Sequence, residues 1–345
     1  MKTSPEKIKE AFAGFEGKHV LILGDVMIDS YLRGKVDRIS PEAPVPVVLL
    51  SKRENMLGGA ANVALNVRSL GAVPLLCSVI GQDHRAQDFI DLLQHDGISD
   101  VGIIRSTDRI TTIKFRIIGN NYQMLRVDEE IDTDLAHSDE ILLIQKAKEQ
   151  LESHNISVII FQDYNKGVLT PFVIDSILAL AATRGIPVVV DPKKKNFNAY
   201  KGVELFKPNL KELREGLKTD VDASDIESLR KASAMLRQQQ SVRSIMVTLS
   251  EKGVYLNREV DGKPVEVLIP AHFRNISDVS GAGDTVISIA SLCLAANLSP
   301  ELTVALSNLA GGLVCEHVGV VPIDKNRLFS EAMLMLTNID HAGQP

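Results

Sequence analysis

The segment Asp278-Val279-Ser280-Gly281-Ala282-Gly283-Asp284, followed by the apolar run Thr285 to Leu298, has the residue types and spacing best suited to chemistry. It reads as a tight glycine turn feeding the N-terminus of a buried helix. The first N–H groups of a helix have no partner within it, and the helix dipole strengthens their pull on anions. Such a turn is a site for phosphate oxygens. Asp284 falls in the first helical turn, beside that site. A carboxylate there can take a proton from a hydroxyl while the amides hold a phosphoryl group. A plain structural role remains open, because glycine turns precede many helices and Asp in a first turn complements the dipole.

Gly58-Gly59-Ala60-Ala61-Asn62 is a second glycine turn entering a helix. Two glycines let a ligand approach the backbone, and Asn62 can hydrogen-bond a substrate hydroxyl. Tight helix packing accounts for the turn equally well. Asn209-Leu210-Lys211-Glu212 sets an amide and a carboxylate three apart at a helix start. That is the spacing of a capping box, the simpler reading. The same geometry suits a water on Mg²⁺. Lys193 to Lys195 follow Asp191-Pro192. A lysine run is usually a solvated face, although one of these could reach a substrate phosphate.

These groups need a scaffold. Short apolar runs ended by Gly, Asp or Pro predict buried parallel strands at His19–Leu23, Pro74–Ile80, Val158–Phe161, Pro187–Val190, Leu205–Lys207 and Ser244–Leu249. Helical patterns alternate with them at Ala60–Leu70, Arg85–His95, Ser138–Ser153, Thr170–Arg184, Ala223–Gln239, Gly283–Ala296 and Leu302–Val318. Such alternation predicts an α/β fold with a parallel sheet covered on both faces. Ligands of such sheets gather at the carboxyl ends of the strands. Five strand ends carry polar groups there, at Asp25 and Asp29, Asp163 to Lys166, Asp191 to Lys195, Asn209 and Glu212, and Thr248 to Gly253.

Ser30–Ser51 and Arg109–Asp128 break the pattern. The first is rich in Pro and β-branched residues, and the second alternates apolar and polar residues around Gly119-Asn120-Asn121, a hairpin turn. Both predict antiparallel strands outside the main sheet, forming a small β flap over its mouth.

Composition sets limits. The 345 residues are 45% hydrophobic and 24% charged, as in an ordinary globular protein. A net charge of −6 argues against a nucleic-acid surface. No signal peptide is evident, and no apolar stretch reaches the roughly 18 residues needed to span a membrane. Cys77, Cys293 and Cys315 read as buried free thiols of a cytoplasmic protein. No histidine pairs with another His or Cys at metal-ligand spacing, and no Walker A or GxGxxG pattern occurs.

The two glycine turns and the Asn209-x-x-Glu212 element together resemble, in order and spacing, the motifs of the ribokinase-like (PfkB) carbohydrate kinases. The resemblance covers nearly the whole chain. Within that family the chain is most similar to the D-glycero-D-manno-heptose 7-phosphate kinases of lipopolysaccharide precursor synthesis. The residues carrying this likeness are Gly24 to Asp29, Arg38 to Val47, Asp163 to Gly167, Asp191 to Lys193 and Pro208 to Leu210. Those kinases often carry a nucleotidyltransferase domain with a His-x-Gly-His motif. This sequence contains no such motif and so resembles the stand-alone kinase form. Val279-Ser280 departs from the two hydroxyl-bearing residues usual there, but Ser280 keeps one hydroxyl.

The resemblance implies a single domain over residues 1–345, a three-layer α/β/α core with a mostly parallel sheet, and a β lid from about 30–57 and 109–128 that pairs into a homodimer. It implies ATP and Mg²⁺ as cofactors, a sugar phosphate as substrate, and no nucleic-acid or membrane partner. The γ-phosphoryl of ATP would pass to the anomeric hydroxyl of heptose 7-phosphate, giving the 1,7-bisphosphate on the route to ADP-heptose. Asp284 would be the general base, with Gly281, Ala282 and Gly283 as the anion hole. Asn209 and Glu212 would organise Mg²⁺ through water and the ATP phosphates. Thr248, Gly253 and Asn308 would contact the nucleotide. Asp278 and Ser280 match positions that hold a monovalent cation, such as K⁺, in some relatives. Asp29, Gly58, Gly59 and Asn62 would bind sugar hydroxyls. A substrate dianion needs basic partners, for which Arg116, Arg126, Lys166 and Lys193 are candidates, and Arg38 is another.

Three other readings stand beside this one. A related kinase could act on fructose phosphate, ribose or a nucleoside, but Ser40–Val47 and Asp163–Gly167 favour heptose. A non-catalytic sugar-phosphate sensor conflicts with the intact turn and Asp284. An NAD enzyme lacks its glycine fingerprint.

Overall fold

A computed structural model describes residues 3–260, 262–272 and 274–337. In chain order the elements begin α1 (Pro5–Phe15), β1 (His19–Gly24), β2 (Val26–Ile39), β3 (Pro46–Gly59), α2 (Ala60–Ser69), β4 (Val73–Gly81), α3 (His84–His95) and β5 (Ile103–Ser106). There follow β6 (Ile113–Gly119), β7 (Tyr122–Glu129), α4 (His137–Ser153), β8 (Ile156–Gln162), α5 (Pro171–Arg184), β9 (Val188–Asp191), β10 (Leu205–Phe206), α6 (Leu210–Leu217) and α7 (Ile226–Gln240). The last are β11 (Ser244–Thr248), β12 (Val254–Val260), β13 (Lys263–Ile269), α8 (Ala282–Ala295), α9 (Pro300–Val314) and α10 (Lys325–Leu336).

Nine strands form the main sheet, in the order β13-β12-β11-β10-β9-β8-β1-β4-β5. From β11 to β5 every pairing is parallel. The central strands are apolar on both sides because side chains alternate between the faces of a strand. Val20 and Ile22 of β1 enter one core, and Leu21 and Leu23 enter the other. Val158 and Ile160 of β8 separate from Ile159 and Phe161 in the same way. Helices α1, α2, α3, α8, α9 and α10 cover the first face, and α4 to α7 cover the second. Each such side chain, fully buried, contributes roughly 2 kcal/mol. The result is the expected three-layer α/β/α ribokinase-like fold.

A second sheet of four strands, β3-β2-β6-β7, accounts for the two segments that broke the pattern. The β6–β7 hairpin turns on Asn120-Asn121, both with positive φ, which suits the right-handed twist of the strands. The strands are longer than the expected 30–57 and 109–128, since β2 starts at Val26, β3 ends at Gly59 and β7 ends at Glu129. One expectation is corrected. The flap is not wholly antiparallel, because β2 pairs with β6 in parallel and so joins the two hairpins. The hairpin of β12 and β13 extends the main sheet antiparallel to β11 and had no sequence counterpart. Helix α7 starts later than expected, at Ile226, because Asp225 caps it.

Candidate active site

The parallel register brings the ends of β1, β8, β9, β10 and β11 to one edge. Gly24 pairs with Gln162, and Gln162 with Asp191. Two helix N-termini point at this edge. Gly59 caps α2 and Gly281 caps α8, both with positive φ. A Cβ on Gly59 would strike the Asp25 carbonyl oxygen, and one on Gly58 would strike the Asp29 carboxylate. The glycine pair therefore makes room for Asp25 and Asp29. A Cβ on Gly281 would lie 2.9 Å from Asn62 Nδ2.

Asp284 lies where the two helices meet and is only 2% exposed. Its Oδ2 accepts a hydrogen bond from Asn62 Nδ2 at 2.8 Å. Its Oδ1 accepts from Gln162 Nε2 at 2.9 Å and from the Tyr164 hydroxyl at 2.7 Å. Burial pushes its pKa up to about 6, against the pull of the Asn62 and Tyr164 donors. Asn62 is itself fixed by Asn66, whose Nδ2 donates to Asn62 O and Oδ1. The expected contact of Asn62 with a substrate hydroxyl thus competes with its role as a brace for Asp284.

Beside Asp284, Asp191 binds two lysines. Lys207 Nζ lies 2.8 Å from Oδ2, with its side chain only 3% exposed, and Lys193 Nζ lies 3.5 Å from Oδ1. Burial would raise the Asp191 pKa, but Lys193 and Lys207 hold it below the usual range. Burial would likewise lower the Lys193 pKa, but Asp191 and Glu212 raise it. A Cβ on Gly283 would meet only Asp191 Oδ2 at 3.7 Å and Lys207 Nζ at 3.8 Å. The glycine turn therefore faces buried cationic groups across a short gap.

The residues expected at the nucleotide come together along the β10–β13 end of the sheet. Asn209 and Glu212 form a full capping box on α6, with both bonds at 2.8 Å. Glu212 also accepts Lys193 Nζ. Asn209 bridges to Thr248, Gly253 packs on the Ile269–Pro270 backbone, and Asn308 Nδ2 donates to Pro270 O at 2.8 Å. Lys193, expected at the substrate phosphate, thus bridges Glu212 and Asp191.

The residues expected at the sugar lie on and beside the small sheet. Asp29 pairs with Arg116. Lys114 pairs with Asp128 at 3.0 Å and Glu130 at 2.9 Å, and Lys166 reaches Glu130 at 2.6 Å. Arg126 pairs with Asp128 at 3.0 Å, whereas Arg38 lies near the far end of β2. Asp278 accepts the N–H groups of Ser280 and Gly319 at 2.9 and 3.0 Å, tying the glycine turn to the chain after α9.

The sequence reading missed Gln162 and Lys207 as site residues and did not assign Tyr164 a role. Gln162 ends β8, Tyr164 follows it and Lys207 follows β10, and a position at a strand end was the available signal. The arrangement can hold an anion at the start of α8 and place an ionisable carboxylate beside it. Among the described residues there is no cluster of three or more His, Cys, Asp or Glu side chains suited to a metal, and no helix is long and apolar enough to cross a membrane.

The model of the pfkB family of carbohydrate kinases matches residues 18–326. A protein named bifunctional protein HldE from Magnetococcus marinus is 42% identical over 316 residues, covering 91% of this chain and 64% of that protein. Another of that name, from Caulobacter vibrioides, is 40% identical over 305 residues, covering 88% of this chain and 61% of that protein. The chain therefore spans less than two thirds of the length of these relatives. Among solved structures, phosphofructokinase-2 from Escherichia coli in complex with potassium superposes with a TM-score of 0.75 at 20% identity, over 92% of this chain and 99% of that one. Ribokinase from Arabidopsis thaliana, complexed with ribose and ATP, gives 0.67 at 15%, over 91% and 99%. These two likenesses are of fold. With the glycine turn, the buried carboxylate and the family match in agreement, the chain belongs to the pfkB family and is an ATP-dependent carbohydrate kinase.

Proposed function

We propose that this kinase phosphorylates the anomeric hydroxyl of D-glycero-D-manno-heptose 7-phosphate, a step toward ADP-heptose and lipopolysaccharide. The observation that carries the reaction is the Asp284 carboxylate, buried in the first turn of α8 behind Gly281 to Gly283. A sugar hydroxyl is nearly un-ionised at neutral pH, so a base must take its proton as the phosphoryl group arrives. The α8 amides, with Lys207 and Lys193 nearby, match the charge that spreads over the phosphoryl oxygens. Four cationic side chains on the sugar side, Lys114, Arg116, Arg126 and Lys166, support a substrate carrying its own phosphate. Similarity to the HldE proteins supports the same sugar class. The deciding experiment is ADP release over a panel of sugars and sugar phosphates. Faster turnover of fructose 6-phosphate or ribose than of heptose 7-phosphate would overturn the assignment.

Glu212 and Asn209 fit a Mg²⁺ held mainly by nucleotide phosphates and reached through water. The Glu212 oxygens are engaged by Lys193 and by the Asn209 N–H, which leaves no bare carboxylate for direct ligation. The ion would neutralise charge on the phosphates. Asp278 and Ser280 are proposed for a monovalent cation, although both Asp278 oxygens also hold backbone N–H groups. The small sheet acts as a lid that excludes water. Its outer face exposes Val45, Leu50, Met124 and Leu125, an apolar patch suited to a second copy of the chain. Sedimentation velocity should give a dimer, and Leu50→Lys with Leu125→Glu a monomer.

Gly283 offers a separation of stability from activity. Its φ is negative and a Cβ there meets nothing closer than 3.7 Å, so Gly283→Ala should fold and melt no lower than the parent. The methyl group would stand in the phosphoryl path, and kcat should fall about 100-fold, the scale of a misplaced reacting group. Unchanged kcat would move the phosphoryl site elsewhere.

The pH dependence follows from burial. Asp284 must be ionised to act, and its pKa is raised to about 6. Below that pH, kcat/KM should fall tenfold per unit, and above it kcat/KM should be level. A limb near pH 4 would mean the carboxylate is solvated and not this base.

A further inference from the structure

Asp284 Oδ1 has both acceptor positions filled, by Gln162 Nε2 and the Tyr164 hydroxyl, whereas Oδ2 receives only Asn62 Nδ2. One lone pair therefore remains for an acceptor hydroxyl, and it is on Oδ2, the Asn62 side. We propose that Tyr164 is a positioning residue that clamps Asp284 Oδ1, so that Oδ2 alone serves as the base, and that buried Asp25 holds Tyr164 in place. The proposal rests on the reading of Asp284 as the base.

The clamp is built into the loop after β8. Asp25, 1% exposed, gathers three N–H groups of that loop, with Oδ2 accepting from Tyr164 at 2.7 Å and Lys166 at 3.1 Å, and Oδ1 from Val168 at 3.0 Å. Asp163 pins the same loop on its other side, accepting from the Tyr200 hydroxyl and the Asn165 N–H, both at 2.7 Å. Arg109, 8% exposed, donates to the Lys166 carbonyl and at 2.9 Å to that of Thr133. Lys193 Nζ stands 5.4 Å from the centre of the Tyr164 ring, a cation–π contact that holds the phenol from another side. Burial and the neighbouring Asp284 and Asp191 carboxylates keep the phenol proton on, so Tyr164 can only donate to the base.

A loop that merely covers the sheet edge does not need a hydroxyl aimed at a buried carboxylate. A donor to an ionised carboxylate favours its charged form, and its loss raises the pKa. The charged and titratable groups facing Asp284 are Tyr164, Asp191, Lys193 and Lys207, with Asp25 beneath the loop. Only the first is altered by Tyr164→Phe.

The test is a pH–rate profile of Tyr164→Phe at saturating ATP, beside the parent. The expected result is an acid limb of kcat/KM displaced upward by about one pH unit, a shift matched to one hydrogen bond to a charged group. At neutral pH kcat should fall about tenfold through lost orientation, with KM for ATP within twofold. Asp25→Asn, which keeps the side-chain shape and weakens the loop anchor, should lower kcat in the same way with KM for ATP unchanged. An active Tyr164→Phe enzyme with an unmoved limb and kcat within twofold would overturn the clamp and leave the kinase assignment intact. A parent enzyme whose rate shows no dependence on Asp284 would instead remove the reading on which the clamp depends.

Discussion

Replacing Asp284 by Asn is expected to lower kcat by about 10³-fold, the usual scale of a lost general base, while the nucleotide Kd changes less than twofold. The amide keeps the shape of the side chain but cannot accept the proton of an attacking hydroxyl. The amide oxygen would still accept from Gln162 and Tyr164, now at 2.9 and 2.7 Å, whereas its Nδ2 would meet Asn62 Nδ2 donor to donor, so two of the three contacts should hold the α8 turn in place. Measured by coupled ADP release and by calorimetric titration with ATP, the variant should bind nucleotide and turn over barely. The parent's acid limb near pH 6 should vanish from its residual rate. A variant within tenfold of the parent would leave the reaction without its base.

Removing the phosphate from the sugar should have an effect of similar size. Two charge-assisted hydrogen bonds from the sugar-side cations are worth about 2 kcal/mol each, so kcat/KM for the free heptose should be about 10³-fold below that for the 7-phosphate. Two bonds are counted rather than four because these cations are engaged. Arg116 neutralises buried Asp29, and Lys114 and Lys166 share Glu130. Lys166→Met should reduce the discrimination about 30-fold, the worth of one such bond, and leave the rate on free sugar unchanged, since Glu130 would keep Lys114 as its partner. Arg116 is the poorer probe, because its removal strands a carboxylate that is 3% exposed. Equal kcat/KM for the two sugars would rule out a phosphate pocket under the small sheet.

Much of the core could be read from local pattern. Strands β1, β4, β8, β9, β10 and β11 announce themselves as apolar runs because both faces of the sheet are buried, whereas the four-residue edge strand β5 was not foreseen. The two glycine turns were legible because a positive φ at a helix start favours glycine. Other features were not local. Hairpin β12–β13 carries Asn257, Arg258, Glu259 and Glu266, so no apolar run marks it, and its place at the sheet edge tolerates those charges. The parallel β2–β6 pairing joins segments some 80 residues apart without a spacing rule. Gln162, Tyr164 and Lys207 become site residues only because β8, β9 and β10 lie side by side. The pairing of Lys193 with both Asp191 and Glu212 was not legible, because charge alone does not name a partner. Asn209 and Glu212 show that one spacing can serve a helix cap and a cofactor site together.

The bond between Asn62 and Asp284 spans 222 positions of the chain. During synthesis the first β-strands, the small sheet and most of the main sheet leave the ribosome before the second half of that bond exists. A nascent chain halted short of α8 would contain Asn62, Gln162 and Tyr164 without the carboxylate they bind. High sequence separation also slows the closing steps of folding. The junction of α2 and α8 that buries Asp284 therefore closes late.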